Sequence, residues 1–219
     1  ILGVIAVHNW QLAVFDDRAA QDVWANDPSV LISSSYAPVG KVKVVDGGFR
    51  LSGRWSFSSG SEHCQWVFLG AVVPMPEAPF DMANYRTFLL PISDYAIVHN
   101  WDVVGLQGTG SHAIVVDNAF VPEHRTHKAM DGFLCDNPGN AVNKAPLYRM
   151  PFMQVFVQSS VVEKRMDAED LPLVRADVVV GTLFSLTIAA FIVITTAATL
   201  HVNGVFTIDS AATAATAFE

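Results

Sequence analysis

The sequence predicts a mainly β domain with helical segments before it and an apolar helix after it. Between residues 29 and 122, six short runs rich in Val, Phe, Tyr and Ile are separated by turn residues. Asp46-Gly47-Gly48 lies between two of these runs and is the strongest hairpin signal, because glycine adopts positive φ at low cost. Several short strands without intervening helices favour a barrel or a sandwich.

The region before the predicted strands, residues 1–28, reads as helical. Four apolar residues recur at spacings of three and four, which is typical of one helical face: Leu12, Phe15, Ala19 and Val23. Pro28 disfavours helix at the preceding residue and is expected to end this segment. Because the chain starts at Ile1 and shows no signal-peptide features, we interpret residues 1–28 as the remnant of an N-terminal helical domain.

The region after the predicted strands changes character twice. Residues 123–160 are rich in proline and irregular, and we interpret them as the start of a truncated C-terminal domain. Residues 161–219 begin with a charged linker and continue into an apolar helix. The 23 residues from Val178 to Leu200 carry no charge, which is long enough to cross a hydrocarbon layer of about 30 Å. A buried helix of a soluble bundle is the alternative.

Charge and cysteine content restrict the partners and the compartment. The net charge is −8 and no basic stripe occurs, so a nucleic-acid partner is not expected. Cys64 and Cys135 lie far apart and predict neither a disulfide framework nor a zinc site. We expect a cytoplasmic protein, with membrane contact through residues 178–200. Basic residues precede that segment and none follows, which places its N-terminal side in the cytoplasm.

Two serine clusters are the first candidate binding residues. Ser33, Ser34 and Ser35 lie in one predicted strand, and "WSFSSG" from Trp55 to Gly60 lies in the next but one. The intervening hairpin is expected to bring the clusters together beside Trp55 and Phe57. Such a shelf of hydroxyl groups suits a planar heterocycle with polar edges. A row of solvent-facing strand serines is the alternative.

The histidines offer fewer signals. His8 lies in an apolar stretch, where a hydrogen-bonded core residue is the common case; its near-neutral pKa also suits binding a phenolate or moving a proton. His124 and His127 are three residues apart but lack further ligands, so no metal site is predicted. His63, His99, His112 and His201 remain unassigned. The glycine-rich "GLQGTGS" does not have phosphate-loop spacing and predicts a tight turn beside a ligand.

Several long motifs together resemble a known family. "DGGFRLSGRWSFSSGSEHCQWVFLGA" and "WDVVGLQGTGSHAIVVDNAFVPEHRT" resemble the middle β-barrel domain of the acyl-CoA dehydrogenase fold. More narrowly, they resemble the flavin-dependent, two-component aromatic monooxygenases built on that fold. "DGFLCDNPG" and "APLYRMPFMQVF" resemble the branch that hydroxylates the phenolic ring of steroid breakdown intermediates. The resemblance covers about residues 1–158.

This resemblance implies a function and a site. The barrel would hold reduced FMN, with FAD as the alternative, supplied by a separate flavin reductase. Molecular oxygen would give a C4a-hydroperoxide that hydroxylates a phenol ortho to its hydroxyl. The implied flavin-binding residues are Ser33, Ser34, Ser35, Trp55, Ser56, Phe57 and Ser58. Ser58 would lie near N5, and His8 would bind the substrate phenolate; these two are the implied catalytic residues.

The chain also departs from the family. The chain lacks most of the family's N-terminal helices and its C-terminal four-helix bundle. In the family that bundle supplies the tetramer contacts. A homo-oligomer is therefore one expected state of this chain, without the contacts of the bundle. Residues 172–217 instead resemble a transmembrane segment of Nramp-type metal transporters, without that family's metal-binding residues. The chain therefore reads as a chimera. An acyl-CoA dehydrogenase-like oxidoreductase and an inactive, membrane-associated fragment remain the alternatives.

Overall fold

The computed structural model of the chain describes residues 2–75, 81–150 and 169–201. It divides into two compact units, residues 1–164 and 165–219. Described helices are α1 (Leu2–Val14), α2 (Asp17–Trp24), α3 (Ala129–Phe133) and α4 (Leu171–Thr196). Described strands are β1 (Ile32–Val45), β2 (Gly48–Ser58), β3 (Trp66–Val72), β4 (Tyr85–Pro91), β5 (Ala96–Val98), β6 (His112–Pro122) and β7 (Thr126–Lys128).

The seven strands form one sheet in the order β5-β6-β2-β1-β3-β4-β7, which confirms the mainly β prediction. All pairs are antiparallel except β1 with β3. The hairpin between β1 and β2 turns through Asp46 and Gly47, and Gly47 has the expected positive φ of 73°. The turn chemistry therefore sets the register of the central pair.

Strand β1 holds the two halves of the sheet together. The sequence predicts two runs here, but they form one strand of 14 residues. Its first half pairs with β3, from Ile32 opposite Trp66, and its second half pairs with β2, from Lys41 opposite Ser52. The register with β3 shifts between Ser35 and Gly40. The serine-bearing half of β1 therefore belongs to the half-sheet opposite that of β6.

The main core lies between the two half-sheets and is centred on Trp55. The Trp55 side chain is fully buried, and its indole N–H donates to the carbonyls of Ala37 (3.1 Å) and Gly70 (2.8 Å). A Cβ at Gly40 would lie 2.6 Å from the Trp55 ring, so only glycine permits β1 to approach this closely. Residues from β2, β3, β4 and β6 complete the cluster.

A second core joins the N-terminal helices to the other face of the sheet. The predicted helical face of Leu12, Phe15, Ala19 and Val23 is buried there against Ile32, Phe68 and Leu89. The face is split between α1 and α2, because the helix breaks before Asp16, whose carboxylate caps α2 at the backbone N–H of Arg18. This core places α1 across the serine end of β1.

Helix α4 confirms the predicted apolar C-terminal helix. Within Leu171–Thr199, the most apolar 18-residue window has a mean hydropathy of 2.4 and no buried residues. The length and composition of α4 are sufficient to cross a membrane. The tail beyond residue 201 lies outside the described residues, as do residues 151–168 with much of the predicted charged linker.

The core geometry generates the first testable prediction. Trp55→Phe should lower the free energy of unfolding by about 2–4 kcal/mol, because it removes the donor from the buried Gly70 carbonyl and the partly buried Ala37 carbonyl and opens a small cavity. Urea unfolding followed by circular dichroism measures this loss. The matched control is Val104→Ala at a fully exposed position, which should change stability by less than about 0.5 kcal/mol. Equal effects of the two substitutions would contradict the assigned role of Trp55.

Candidate active site

His8 lies in the interface between α1 and β1. The side chain is 2% exposed, with Nδ1 2.5 Å from the carbonyl oxygen of Ile32 and Nε2 2.8 Å from the Ser34 hydroxyl oxygen. A carbonyl can only accept, so Nδ1 carries the proton and donates it to Ile32. In the neutral ring Nε2 then accepts from the Ser34 hydroxyl. Burial lowers the pKa of His8 to about 4, which keeps the ring neutral at pH 7.

The three serines of β1 point to two sides because side chains alternate along a strand. Ser33 and Ser35 are buried towards β2: Ser33 accepts from the Ser58 hydroxyl at 3.2 Å, and Ser35 donates to the Ser56 carbonyl at 2.6 Å. Ser34 is half-buried and meets His8 instead. The structure therefore brings the two serine clusters together, as the hairpin predicted, but only Ser34 of the β1 cluster faces α1.

The residues of "WSFSSG" divide between core and surface. Trp55 and Ser58 are fully buried, with their polar atoms satisfied inside the protein, so they support the site from beneath and do not line its surface. Ser56 and Phe57 are exposed. In the described part of the chain the Ser56 hydroxyl has no hydrogen-bond partner. The shelf available to a ligand is therefore narrower than the sequence predicts.

Phe57 is held in a conformation unusual for a bulky residue. Its φ is 64°, its side chain is 69% exposed, and the ladder between β2 and β6 shifts register between Trp55 and Ser58. The Phe57 ring meets Trp101 edge to face at a centroid distance of 5.9 Å. Positive φ at a non-glycine residue costs of order 1–3 kcal/mol and is concentrated at functional sites. The bulge therefore marks this strand end as a candidate ligand edge.

The glycine-rich turn is fastened to that same edge. Gly60 N–H donates to the Thr109 carbonyl at 2.8 Å, and the Ser111 hydroxyl lies 2.7 Å from the Ser59 hydroxyl and 2.8 Å from that of Thr109. The segment from Leu106 to Gly110 turns through two left-handed residues at its ends. The predicted tight turn is thus present and packs beside the candidate edge.

A second set of polar residues adjoins His8 and Ser34, and the sequence analysis did not select it. Tyr36 donates its hydroxyl proton to the Gln11 side-chain oxygen, and Gln11 Nε2 donates to the Thr87 hydroxyl at 3.4 Å. The Tyr85 hydroxyl donates to the Tyr36 carbonyl at 2.8 Å. The available signal was spacing: Gln11 lies one helical turn after His8, and Tyr36 lies two residues after Ser34.

A cavity of about 280 Å³ opens beside this second set. Its walls are mainly apolar and aromatic, with a few polar side chains. They are formed by Trp10, Gln11, Val14, Tyr36, Tyr85, Thr87, His127, Ala129, Gly132 and Phe133. Burial lowers the pKa of His127, and its Nε2 hydrogen-bonds Asn137 Oδ1 at 2.9 Å. The cavity therefore offers uncharged walls to a ligand beside Gln11 and Tyr36.

Glu62, His99 and His112 are far apart in the sequence but lie close together in the structure. His99 Nδ1 and His112 Nε2 lie 3.2 Å and 3.6 Å from the two carboxylate oxygens of Glu62. His112 Nδ1 accepts from the backbone N–H groups of Asn100 and Trp101 at 3.2 Å and 3.3 Å, so the ring proton of neutral His112 is on Nε2. A metal ion would need that position deprotonated, and the two histidines instead lie at ion-pair distance from the Glu62 carboxylate.

His124 and His127, which are three residues apart in the sequence, hydrogen-bond different partners. His124 Nε2 and Arg125 Nε both lie on one oxygen of Asp22, at 2.7 Å and 2.6 Å, and tie α2 to the segment before β7. His127 stacks on Phe15 at a centroid distance of 5.3 Å. The two histidines therefore do not share a ligand.

Comparison with known proteins identifies the origin of residues in the first unit. The oxygenase subunit HsaA of a flavin-dependent monooxygenase from Mycobacterium tuberculosis is 47% identical over 154 residues, which are 69% of this chain and 38% of that protein. Over these 154 residues the chain is similar in sequence to the oxygenase subunit of a flavin-dependent monooxygenase. The oxygenase component of an FADH₂-dependent resorcinol hydroxylase from a Rhizobium species is 39% identical over 154 residues, which are 70% of this chain and 37% of that protein.

Solved structures agree with this assignment. The crystal structure of HsaA from M. tuberculosis matches with a TM-score of 0.67 and 44% identity, over 72% of this chain and 40% of that one. XiaF from a Streptomyces species, solved with FADH₂ and glycerol, matches with a TM-score of 0.60 and 25% identity, over 70% of this chain and 38% of that one. The predicted acyl-CoA dehydrogenase-like fold is therefore confirmed. The chain spans about two fifths of the length of these relatives.

The other end of the chain matches a different family model. Residues 149–219 match the natural resistance-associated macrophage protein-like (Nramp) family. This match covers a minority of the chain. It includes the segment that resembles an Nramp-type transporter in the sequence, residues 172–217, but it begins 23 residues earlier and overlaps the end of the monooxygenase-like motifs.

The buried state of His8 gives a prediction for stability. The pKa of His8 is about 4 in the folded chain and 6.5 in the unfolded reference, so the unfolded state binds more protons between these values. Stability from this group is complete above about pH 6.5 and is lost as the pH falls towards 4, by about 3 kcal/mol in total. Urea unfolding between pH 4 and 7 should show a shallower pH slope in His8→Gln than in wild type.

The control for this measurement is His63→Gln, which changes an exposed histidine and should keep the wild-type slope. Identical slopes in His8→Gln and wild type would show that His8 does not titrate as its burial requires.

Proposed function

We propose that this chain carries the flavin site and the phenol site of a flavin-dependent aromatic monooxygenase. The observation that carries the proposal is the His8–Ser34 pair beside the uncharged cavity, in a chain 47% identical to an oxygenase subunit of that class. Reduced flavin would come from a separate reductase, as the names "oxygenase subunit" and "oxygenase component" of the relatives imply. The substrate would be a phenol hydroxylated ortho to its hydroxyl group.

The exposed strand end fits the edge of a flavin. Ser56 offers an open hydroxyl, Phe57 offers an exposed ring, and Ser59 is half-buried beside them. Ser33, Ser35 and Ser58 would hold the backbone of this edge in place through their buried hydrogen bonds, and Trp55 would anchor it to the core. When bound, the reduced flavin would supply the activation of molecular oxygen. FMN and FAD both remain candidates.

Ser34 would connect the substrate to His8. Because His8 is buried and its Nε2 accepts from Ser34, a phenol would reach His8 through the Ser34 oxygen. The Ser34 oxygen would accept a hydrogen bond from the phenol while its own proton is donated to Nε2, which orients the phenol oxygen in the site. A neutral His8 with a pKa of about 4 would act by holding Ser34 in this orientation. This arrangement revises the expectation of direct contact between His8 and the phenolate.

The cavity favours a phenol with a sizeable apolar body over an acyl-CoA thioester. Its described walls contain no Asp or Glu that could act as the carboxylate base of an acyl-CoA dehydrogenase. Aromatic walls from Trp10, Tyr36 and Phe133 suit a fused-ring substituent, which agrees with a steroid-derived phenol.

The proposal predicts a separation between flavin binding and hydroxylation. Ser34→Ala should leave the Kd for reduced flavin within about twofold, because the exposed edge is intact. It should lower the yield of hydroxylated phenol per reduced flavin by at least about tenfold, because the phenol loses the Ser34 oxygen that orients it. Anaerobic titration with reduced FMN and FAD measures the first quantity, and product analysis after addition of oxygen and a phenol measures the second.

Ser93→Ala, at an exposed serine away from the site, is the matched control and should keep both quantities. Absence of saturable binding of either reduced flavin to wild type would overturn the proposed function. Normal hydroxylation by Ser34→Ala would overturn the role of Ser34 while leaving the flavin site standing.

We also propose that α4 contacts a membrane, because its large apolar side chains from Val178 to Ile194 are exposed. Phe184→Lys, in the middle of α4, should move the chain from the membrane pellet to the supernatant after alkaline extraction. A charge at the centre of a spanning helix costs about 2.5–3.5 kcal/mol on insertion scales. Recovery of wild type in the supernatant without detergent would contradict this proposal.

A further inference from the structure

His127 lies on the wall of the cavity, in strand β7. It pairs in register with Thr87 of β4, which lies on the same wall. The His127 side chain is 7% exposed, and its ring stacks on Phe15 at a centroid distance of 5.3 Å. The strand pairing and the stacking therefore hold the imidazole in one place at the cavity wall.

The hydrogen bond between His127 and Asn137 determines which ring nitrogen carries the proton. Asn137 Nδ2 donates to the Tyr148 carbonyl at 3.0 Å, and the Asn137 side chain also accepts from the backbone N–H of Asn140 in a capping box. These partners place the amide oxygen, Oδ1, 2.9 Å from His127 Nε2. An amide oxygen can only accept, so Nε2 carries the proton and donates it.

Nδ1 of His127 is therefore an unused acceptor. Burial lowers the pKa of His127, so the ring is neutral near pH 7 and Nδ1 carries a lone pair. Nδ1 has no hydrogen-bond partner among the described residues. Two described side-chain atoms are inaccessible and unpartnered, the hydroxyl oxygens of Ser61 and Tyr95, and Nδ1 is not one of them. Nδ1 therefore reaches open space, which is the cavity that His127 lines.

The rest of the wall limits the kind of ligand that could use this acceptor. The described lining residues include no Asp, Glu, Lys or Arg. A charged ligand would lose its hydration without gaining a counter-charge, which is costly. Aromatic side chains of Trp10, Tyr85 and Phe133 instead suit an apolar ring system. The wall as a whole therefore fits a neutral, apolar ligand that carries a hydrogen-bond donor.

We propose that His127 is a specificity-determining residue: its Nδ1 accepts a hydrogen bond from a hydroxyl group on a neutral, apolar ring system held in the cavity. The inference rests on the proposed function, in which the cavity holds the apolar body of the substrate. It adds that this body carries a hydroxyl group of its own, separate from the phenol that is hydroxylated. A carbonyl group at the same place would face the Nδ1 lone pair with its own lone pairs, and both would be left unsatisfied.

The test measures the binding of two matched ligands to the full chain by titration calorimetry, without flavin. The ligands are 2-tetralol, which carries an aliphatic hydroxyl group, and 2-tetralone, which carries a carbonyl on the same fused rings. Neither is a phenol. Wild type should bind the alcohol about tenfold more tightly than the ketone, because only the alcohol can donate to Nδ1.

His127→Phe keeps an aromatic ring against Phe15 but removes the acceptor. The Kd values for the alcohol and the ketone should then agree within about twofold. Phe133→Leu is the matched control on the cavity wall. It should weaken the binding of both ligands and leave the tenfold ratio between them unchanged, because the acceptor is still present.

Asn137→Asp is a second variant, and it keeps the His127 ring. A carboxylate beside Nε2 favours the doubly protonated ring, in which Nδ1 becomes a donor. The preference for the alcohol should therefore disappear or reverse in favour of the ketone. A merely structural role of His127 predicts no such change in preference. Circular dichroism of each variant establishes that it is folded, and Asn137→Asp decides the test if His127→Phe does not fold.

The outcomes separate the inference from the proposed function. Equal binding of the two ligands by wild type, or a tenfold preference that persists in the folded variants, overturns the inference alone. Failure of wild type to bind either ligand overturns it together with the use of this cavity for the substrate. Anaerobic titration with reduced flavin and hydroxylation of a simple phenol then decide separately whether the proposed function stands.

Discussion

The hydrogen bond from His8 Nδ1 to the Ile32 carbonyl is the constraint on which the site depends. It fixes the tautomer of a buried imidazole and holds α1 against the serine end of β1. A buried ring without this acceptor would leave a polar N–H unsatisfied, at a cost of about 1–3 kcal/mol. Because Nδ1 carries the ring proton, Nε2 can only accept, and Ser34 must donate to it. One backbone carbonyl thus determines the polarity of a whole set of side chains.

On the opposite face of β1, the polar side chains also form their hydrogen bonds inside the protein. Ser33 and Ser35 use their hydroxyls to hold the end of β2, and Trp55 joins β1 to β3 through the carbonyls of Ala37 and Gly70. Polar groups that are satisfied inside the protein have nothing to offer a ligand. The residues that remain open are few, chiefly Ser56, Phe57 and the oxygen of Ser34. A polar cluster in a sequence is therefore mostly scaffold, and only its exposed members can bind.

The strands with strong alternation and the Asp46-Gly47 turn could be predicted from the sequence, because local periodicity and turn chemistry decide them. Strands β5 and β7 could not, since each has three residues and forms only against a partner. The proximity of the serine clusters followed from the hairpin. The burial of Trp55 and Ser58 did not, because it depends on the packing of two half-sheets. Glu62, His99 and His112 meet through loops, whose paths no local pattern encodes.

The strain at Phe57 links the scaffold to the proposed site. A left-handed Phe persists only where its surroundings hold it, and here both neighbours are fixed: the Ser56 carbonyl accepts from Ser35, and Ser58 donates to Ser33. The turn carrying Thr109 and Ser111 is fastened just beyond, at Ser59 and Gly60. The ring cannot relax into the core, which Trp55 fills, so it stays exposed against Trp101. The buried serine bonds therefore hold an aromatic face outward, where a planar ligand can reach it.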